Sequence, residues 1–144
     1  MNPYFEQTIL NADPVELTVM IYQGAISCVR EAREHLRRGR IAERSDSVTR
    51  AYVAVAELIS SLRAEMAPEF AGRLRSLYIY IQQRLLDANI QQSDPPLEEV
   101  LGLLSTLAEG WFAVAAQLKV SGDPEAPPSG AIAWEDTSRL AIHA

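Results

Sequence analysis

Apolar residues recur at spacings of three and four along four segments of this chain of 144 residues. That period places them on one side of an α-helix, and no alternating strand pattern competes with it. The predicted helices run from about Asp13 to Arg38, from Ile41 or Ala42 to Met66, from Phe70 to Ile90, and from Pro95 or Pro96 to Lys119.

The residues at the helix ends support these boundaries. Asp13 can cap the first helix, Pro14 suits its first position, and Glu16 completes an Asp-x-x-Glu capping box. Gly39 is placed to end that helix, because glycine readily adopts the left-handed conformation found after a helix C-terminus. Pro68 prevents the second helix from continuing.

Helices of this length joined by short links must run antiparallel, because a few residues cannot return along a helix of roughly 30 Å. The predicted fold is therefore an all-α, antiparallel up-down four-helix bundle. Residues 1–12 form an apolar N-terminal arm, residues 13–119 form the bundle, and residues 120–144 form a tail joined through a segment rich in Pro and Gly.

One apolar stripe on each helix is predicted to face the core of the bundle. On the first helix the stripe is Leu17, Met20, Ile21, Gly24, Ala25, Cys28, Ala32 and Leu36. On the second it is Val48, Ala51, Tyr52, Val55, Leu58, Ile59, Leu62 and Met66. On the third it is Leu74, Leu77, Tyr78, Ile81, Leu85 and Ala88, and on the fourth it is Leu97, Val100, Leu101, Leu104, Leu107, Ala108, Trp111, Ala115 and Leu118.

The helices also carry apolar residues away from these stripes. One interpretation is a wide stripe in a small bundle, and the other is a set of grooves that accept helices or extended chain from a partner. The residues concerned are Val15, Val19 and Ile26 on the first helix, Val53 on the second, Ile79, Leu86 and Ile90 on the third, and Leu103 and Val114 on the fourth.

Charge and cysteine content narrow the function classes. The net charge of −6 argues against nucleic acid as a partner, since a protein surface that binds nucleic acid needs clustered Lys and Arg. A single cysteine, Cys28, cannot form an intramolecular disulfide, and no basic residue precedes Arg30, so a cytoplasmic location is expected. The apolar run Val100–Leu118 contains Glu109, which together with polar residues disfavours membrane insertion.

The sequence contains no pattern that predicts catalysis, a cofactor or a metal site. His35 and His143 are the only histidines, and no cluster of His, Cys and carboxylates has ligand spacing. The alternative function considered is a histidine phosphotransfer module, because a basic residue and Gly39 follow His35 at three and four positions. That chemistry needs a histidine that projects from the middle of a helix into solvent, whereas Gly39 indicates that His35 lies in a last turn.

Several short phrases resemble one protein family. They are Tyr4, Asn11-Ala-Asp-Pro-Val-Glu-Leu17, Met20-Ile-Tyr-Gln-Gly-Ala25, Leu77-Tyr-Ile-Tyr80, Arg84-Leu-Leu-Asp-Ala-Asn89, Leu97-Glu-Glu-Val100 and Trp111. In order and spacing they resemble the flagellin export chaperones of the FliS family, over roughly residues 2–118. The resemblance implies a cytoplasmic helical bundle without enzymatic activity. Such a bundle binds the disordered C-terminal segment of flagellin, prevents its premature polymerisation and delivers it to the flagellar secretion apparatus, with an export gate protein as a second partner.

The residues expected to bind the partner combine the apolar arm, the second apolar faces and one residue inside a matched phrase. They are Tyr4, Phe5, Ile9, Leu10, Val15, Val19, Tyr22, Ile26, Ile79, Leu86 and Ile90. The four arm residues fit either a plug over a groove or a hydrophobic staple against the first helix. The tail fits either a mimic of the client, which docks on the groove of its own chain or of a neighbouring copy, or a disordered acidic segment.

Overall fold

A computed structural model of the chain describes residues 14–62 and 67–121, with side chains described as far as residue 117. It contains four helices: α1 (Pro14–Arg37), α2 (Ile41–Ser60), α3 (Pro68–Gln91) and α4 (Pro95–Ser121). No strand occurs within the described ranges. The prediction of an all-α chain with four helices is confirmed.

The end of α1 follows the prediction made from Gly39. Gly39 has a φ of +69°, and its N–H donates to the carbonyl of Leu36 at 3.2 Å. The N–H of Arg40 donates to the carbonyl of His35 at 2.9 Å. These two bonds form a Schellman motif, which satisfies helix-end carbonyl groups.

The end of α2 differs from the prediction. The helix ends at Ser60 rather than at Met66. The N–H of Leu62 donates to the carbonyl of Ile59, three residues earlier, so the chain tightens just after the helix. The hydroxyl of Ser61 donates to the carbonyl of Leu58 at 2.8 Å. Serine side chains compete for backbone groups in this way, which favours a helix end. Residues 63–66, and the predicted cap Asp13, lie outside the described residues.

Helix α3 begins at Pro68, two residues before the predicted Phe70. Proline lacks an N–H and has a fixed φ, so it ends one helix and also suits the first position of the next. Ala67 precedes it as the N-cap residue without a side-chain cap.

The helices pack as a ring in which α1 contacts α2 and α4, and α3 contacts α2 and α4. Helices α1 and α3 therefore face each other across the centre. Cross-helix bonds agree with an antiparallel order: Tyr52 on α2 lies opposite Gln82, whereas the earlier residue Arg44 lies opposite the later residue Asn89.

The centre of the bundle contains three aromatic side chains from three helices. The hydroxyl groups of Tyr22 on α1 and Tyr78 on α3 are 2.6 Å apart, so they form a hydrogen bond across the core. The ring of Trp111 on α4 lies with its centroid 6.4 Å from that of Tyr22. All three are buried.

The predicted core stripes of α2, α3 and α4 are largely confirmed, but that of α1 was partly wrong. The buried residues of α1 are Thr18, Tyr22, Ala25, Val29 and Ala32. Leu17, Met20, Ile21, Cys28 and Leu36 are half-buried, and Gly24 is exposed. The centre of the stripe is rotated because Tyr22 reaches across the core to its hydrogen-bond partner Tyr78 on α3.

Two residues of α4 were wrongly assigned to a second apolar face. Leu103 and Val114 are 8% and 3% exposed, so both belong to the buried side of α4.

The apolar stretch Pro95–Gln117 is the part of the described chain that is long and apolar enough to cross a membrane. A core helix meets the same condition, and the buried side of α4 packs into this core.

Candidate partner-binding surface

Two hydrogen bonds identify the side of α3 that faces α2. The side-chain amide of Gln82 donates to the backbone carbonyl of Tyr52 at 3.3 Å. The Nε of Arg44 donates to Oδ1 of Asn89, also at 3.3 Å. Any residue three or four positions from Gln82 or Asn89 lies on this same side of α3.

Two large apolar residues of α3 meet that condition and remain exposed, and a third continues their row one turn further. Ile79, three positions before Gln82, is 43% exposed, and Leu86, four positions after Gln82, is 47% exposed. Ile90, four positions after Leu86, is 78% exposed. These residues were predicted from the sequence as a second apolar face, and the structure places them together.

Helix α2 contributes the other side of this apolar area. Ile41, at the start of α2, is 57% exposed, and Tyr52 and Ile59 are half-buried on the flank turned toward α3. We call the resulting area the α2–α3 surface; it comprises Ile41, Tyr52, Ile59, Ile79, Leu86 and Ile90. It extends about 17 Å from Ile79 to Ile90, or three helical turns. An amphipathic helix of similar length would present matching anchors every three or four residues.

Apart from Tyr22, the other predicted site residues on described helices lie on the opposite side of the bundle. One flank of α1 carries Val15, Val19 and Ile26 together with Arg33. The guanidinium of Arg33 makes two hydrogen bonds of 2.8 Å with the carboxylate of Asp94, which lies just before α4. This pair identifies the flank as the one facing α4.

All three of these apolar residues are half-buried and pack against the core. Half-buried Leu101 and exposed Phe112 extend the area on α4. We call it the α1–α4 surface; it comprises Val15, Val19, Ile26, Leu101 and Phe112. The predicted partner-binding residues at the surfaces of α1 and α3 therefore form two separate areas.

Tyr22 differs from the other predicted contact residues. Its side chain has no exposed surface, and its hydroxyl is bonded to that of Tyr78. Burial is the main cause that raises the pKa of Tyr22 well above its ordinary value, with the neighbouring Tyr78 adding to it. In this conformation Tyr22 supports the core and offers no contact area to a partner.

Tyr4, Phe5, Ile9 and Leu10 lie outside the described residues, as does the tail from residue 122. The interpretations of the arm as a plug or a staple, and of the tail as a client mimic or a disordered segment, stay predictions.

Sequence reasoning missed Ile41 and Phe112 as exposed apolar residues and Arg44 as a buried residue. Ile41 follows the helix stop at Gly39 directly, so its place at an exposed helix start could have been noticed. The burial of Arg44 has no signal in the sequence, because it depends on the approach of α3.

The structure gives no support to the phosphotransfer alternative. His35 lies in the last turn of α1 and is half-buried, with Nδ1 enclosed and no bonding partner among the described residues. A phosphoacceptor histidine has to project into solvent from within a helix. Within residues 14–62 and 67–121, no group of three His, Cys, Asp or Glu residues could hold a metal ion.

Comparison with known proteins agrees with the helical architecture and the short phrases. Residues 1–118 match the family described as "Flagellar protein FliS". The flagellar secretion chaperone FliS of Salmonella typhimurium is 35% identical over 107 residues, which cover 74% of this chain and 79% of that protein. The flagellar secretion chaperone FliSB of Pseudomonas aeruginosa is 30% identical over 110 residues, or 76% and 87% of the two chains. FliS of Bacillus subtilis is 28% identical over 113 residues, or 76% and 84%. The chain belongs to the FliS family of flagellar proteins.

Proposed function

We propose that this protein is a flagellar secretion chaperone that binds the C-terminal segment of flagellin, prevents its premature polymerisation and delivers it to the secretion apparatus. The observation that carries the proposal is the exposed α2–α3 surface on a helical bundle of the FliS family. The protein acts by binding and not by catalysis.

The properties of the client explain why such a surface is needed. A disordered chain with apolar, helix-forming segments associates with other copies unless those segments are covered. The α2–α3 surface can cover one such helix, with Ile79, Leu86 and Ile90 as contacts at helical spacing. The client must lose conformational entropy when it folds on the chaperone, and this cost keeps the complex releasable.

The α1–α4 surface supports a second part of the proposal. Val15, Val19 and Ile26 are half-buried, so this surface is closer to being closed than the α2–α3 surface. We propose that the arm, through Tyr4, Phe5, Ile9 and Leu10, covers it in the free chaperone and that the client replaces the arm.

The proposed setting is the cytoplasm, where flagellin is synthesised before export, and an export gate protein is the proposed second partner. The net charge of −6 disfavours nucleic acids as partners. Most of the large apolar residues of α4 pack into the core of the bundle, and the proposal includes no membrane insertion.

Isothermal titration calorimetry of the full chain with a synthetic flagellin C-terminal peptide tests the proposal. A one-to-one complex with a strongly negative heat-capacity change is expected, together with a gain of helical circular dichroism beyond the sum of the two components. A peptide of the same composition in scrambled order is the control, since it keeps the charge but not the apolar spacing. Absence of binding at micromolar concentrations, or equal binding of the scrambled peptide, would contradict the proposed function.

A further inference from the structure

Arg44 is buried in an unusual environment at one end of the α2–α3 surface. It lies in the second turn of α2 and is only 4% exposed. Among the described residues its guanidinium makes one side-chain hydrogen bond, from Nε to the amide oxygen of Asn89 at 3.3 Å. Neither of the two terminal amino groups of Arg44 is an enclosed atom that lacks a partner.

The carboxylates of Asp87 on α3 and of Asp94 just before α4 pair with other arginines. Asp94 pairs with Arg33 at 2.8 Å. Asp87 pairs with Arg84 at 3.1 Å. No carboxylate of the described residues lies within salt-bridge distance of Arg44. Among the described residues the guanidinium therefore has the amide oxygen of Asn89 and the nearby negative end of the α3 dipole, but no opposite charge.

A guanidinium without an ionic partner gains charge-assisted hydrogen bonds from a carboxylate, and the burial of most of the Arg44 side chain holds the guanidinium in one place for such a ligand. The guanidinium of arginine presents its N–H groups as a planar fork that matches the two oxygens of a carboxylate. Helix α2 adds further donors, since its first N–H groups have no intrahelical partner and its N-cap residue Arg40 makes no side-chain cap.

We propose that Arg44 and Asn89 bind the C-terminal carboxylate of the flagellin segment that lies on the α2–α3 surface. This inference rests on the proposed function. Ile90 follows Asn89 directly, and Ile41 lies one turn before Arg44, so the apolar surface ends beside the guanidinium. A bound chain that reaches this end of the surface can place its terminus there, and the client segment is the one that carries the chain terminus.

Such a contact would fix the register of the client. Apolar anchors at helical spacing allow a bound helix to shift by one turn with little change in buried area. A terminal carboxylate is unique in the chain, so its binding at Arg44 selects one register and also distinguishes a chain end from internal helices of similar composition.

The test compares two flagellin C-terminal peptides that differ only at their ends, one with a free carboxylate and one with an amide. Calorimetry with the unchanged chaperone should give about tenfold to a hundredfold weaker binding for the amide, because it loses charge-assisted hydrogen bonds. Arg44→Gln should weaken binding of the free acid and remove the difference between the two peptides. Arg30→Gln, on the exposed face of α1, removes the same charge far from the surface and should leave the difference intact.

Each outcome has a separate meaning. Equal affinity of the two peptides for the unchanged chaperone would overturn the carboxylate site while leaving the proposed function in place. Failure of both peptides to bind would instead contradict the proposed function. A third peptide with a free terminus and its acidic side chains changed to amides should bind like the first; a loss larger than that caused by terminal amidation would overturn the proposal, because the ligand would then be a side chain.

Discussion

The two flanks of α3 have similar exposure and opposite chemistry. On the flank toward α4, the hydroxyl of Tyr80 donates to the carboxylate of Glu99 at 2.8 Å, and the Nε of Arg84 donates to the same carboxylate at 2.7 Å. On the flank toward α2, Ile79 and Leu86 are exposed and apolar. Tyr80 is 40% exposed and Ile79 is 43% exposed, so exposure alone does not separate the two flanks.

The two flanks of α3 differ in whether their side chains have interaction partners within the chain. The polar groups of Tyr80, Arg84 and Glu99 satisfy one another, and water can reach them, so this flank is complete without another molecule. Ile79 and Leu86 gain stabilisation only when more apolar area is removed from water. The apolar flank is therefore the one at which a partner would change the free energy most.

The largest effect is expected on the apolar flank itself. Leu86→Asp should weaken binding of the flagellin C-terminal peptide by roughly thirtyfold or more, because it places a charge at a contact that the partner must desolvate. The free energy of unfolding should change by less than about 1 kcal/mol, since the side chain lies at the surface. Calorimetry and urea unfolding measure the two quantities.

Val53→Asp is the matched control for that change. Val53 is 53% exposed on α2 but lies away from the α2–α3 surface, between the exposed residues Thr49 and Glu57. The same substitution there should leave peptide binding unchanged. If both variants bind as weakly as each other, the loss reflects general charge repulsion and the α2–α3 surface has no special role.

A smaller effect, on stability, is expected at the third face of α3, which packs into the core. Tyr78→Phe removes the hydroxyl that bonds to Tyr22 and should lower the free energy of unfolding by about 1 to 2 kcal/mol. Tyr80→Phe, on the exposed polar flank, should cost less than half as much. Chemical unfolding at neutral pH compares them, and equal costs would contradict the assignment of the Tyr22–Tyr78 bond to the core.

The same residue predicts a change of stability at high pH. Burial raises the pKa of Tyr78 to about 12, whereas an unfolded tyrosine titrates near 10. The folded state therefore keeps a proton that the unfolded state loses, so the contribution of Tyr78 to stability is constant below about pH 10 and is lost between about pH 10 and 12. Unfolding measured at pH 9 and pH 11 should show this fall, and Tyr78→Phe should reduce it.

The four helices could be predicted because their signals are local. Spacing, a proline at a helix start and Gly39 depend on a few neighbouring residues, and the resemblance of short phrases supplied the family. The rotation of α1 around Tyr22 could not be predicted in this way, since the hydrogen bond to Tyr78 joins residues 56 positions apart. Helical period alone cannot decide which of two apolar stripes faces the centre.

The candidate site was predicted in part for the same reason. The spacing of Ile79, Leu86 and Ile90 places them on one face of a helix, so their proximity could be predicted from the sequence. Their separation from Val15, Val19 and Ile26 depends on which helices are neighbours, and that order is a property of the packing. The burial of Arg44 depends likewise on the approach of Asn89 from another helix.

The smallest effect is expected from the polar flank of α3. The hydroxyl of Tyr80, followed by Arg84, lowers the pKa of Glu99 below its ordinary value of 4.5, so the carboxylate stabilises the fold above that pH. This contribution is lost as the pH falls through the lowered pKa. Glu99→Gln should lower the thermal midpoint by less than about 4 °C at pH 7, because exposed ion pairs contribute little, and the difference should vanish in acid.

Peptide binding decides whether the comparison between the two flanks holds. Because the polar flank is satisfied within the chain, Glu99→Gln should leave the affinity for the flagellin peptide within about twofold of the unchanged chaperone. A loss comparable to that of Leu86→Asp would mean that the client also covers the α3–α4 side. The apolar flank would then be one part of a wider interface, and exposure without an internal partner would no longer identify where the client binds.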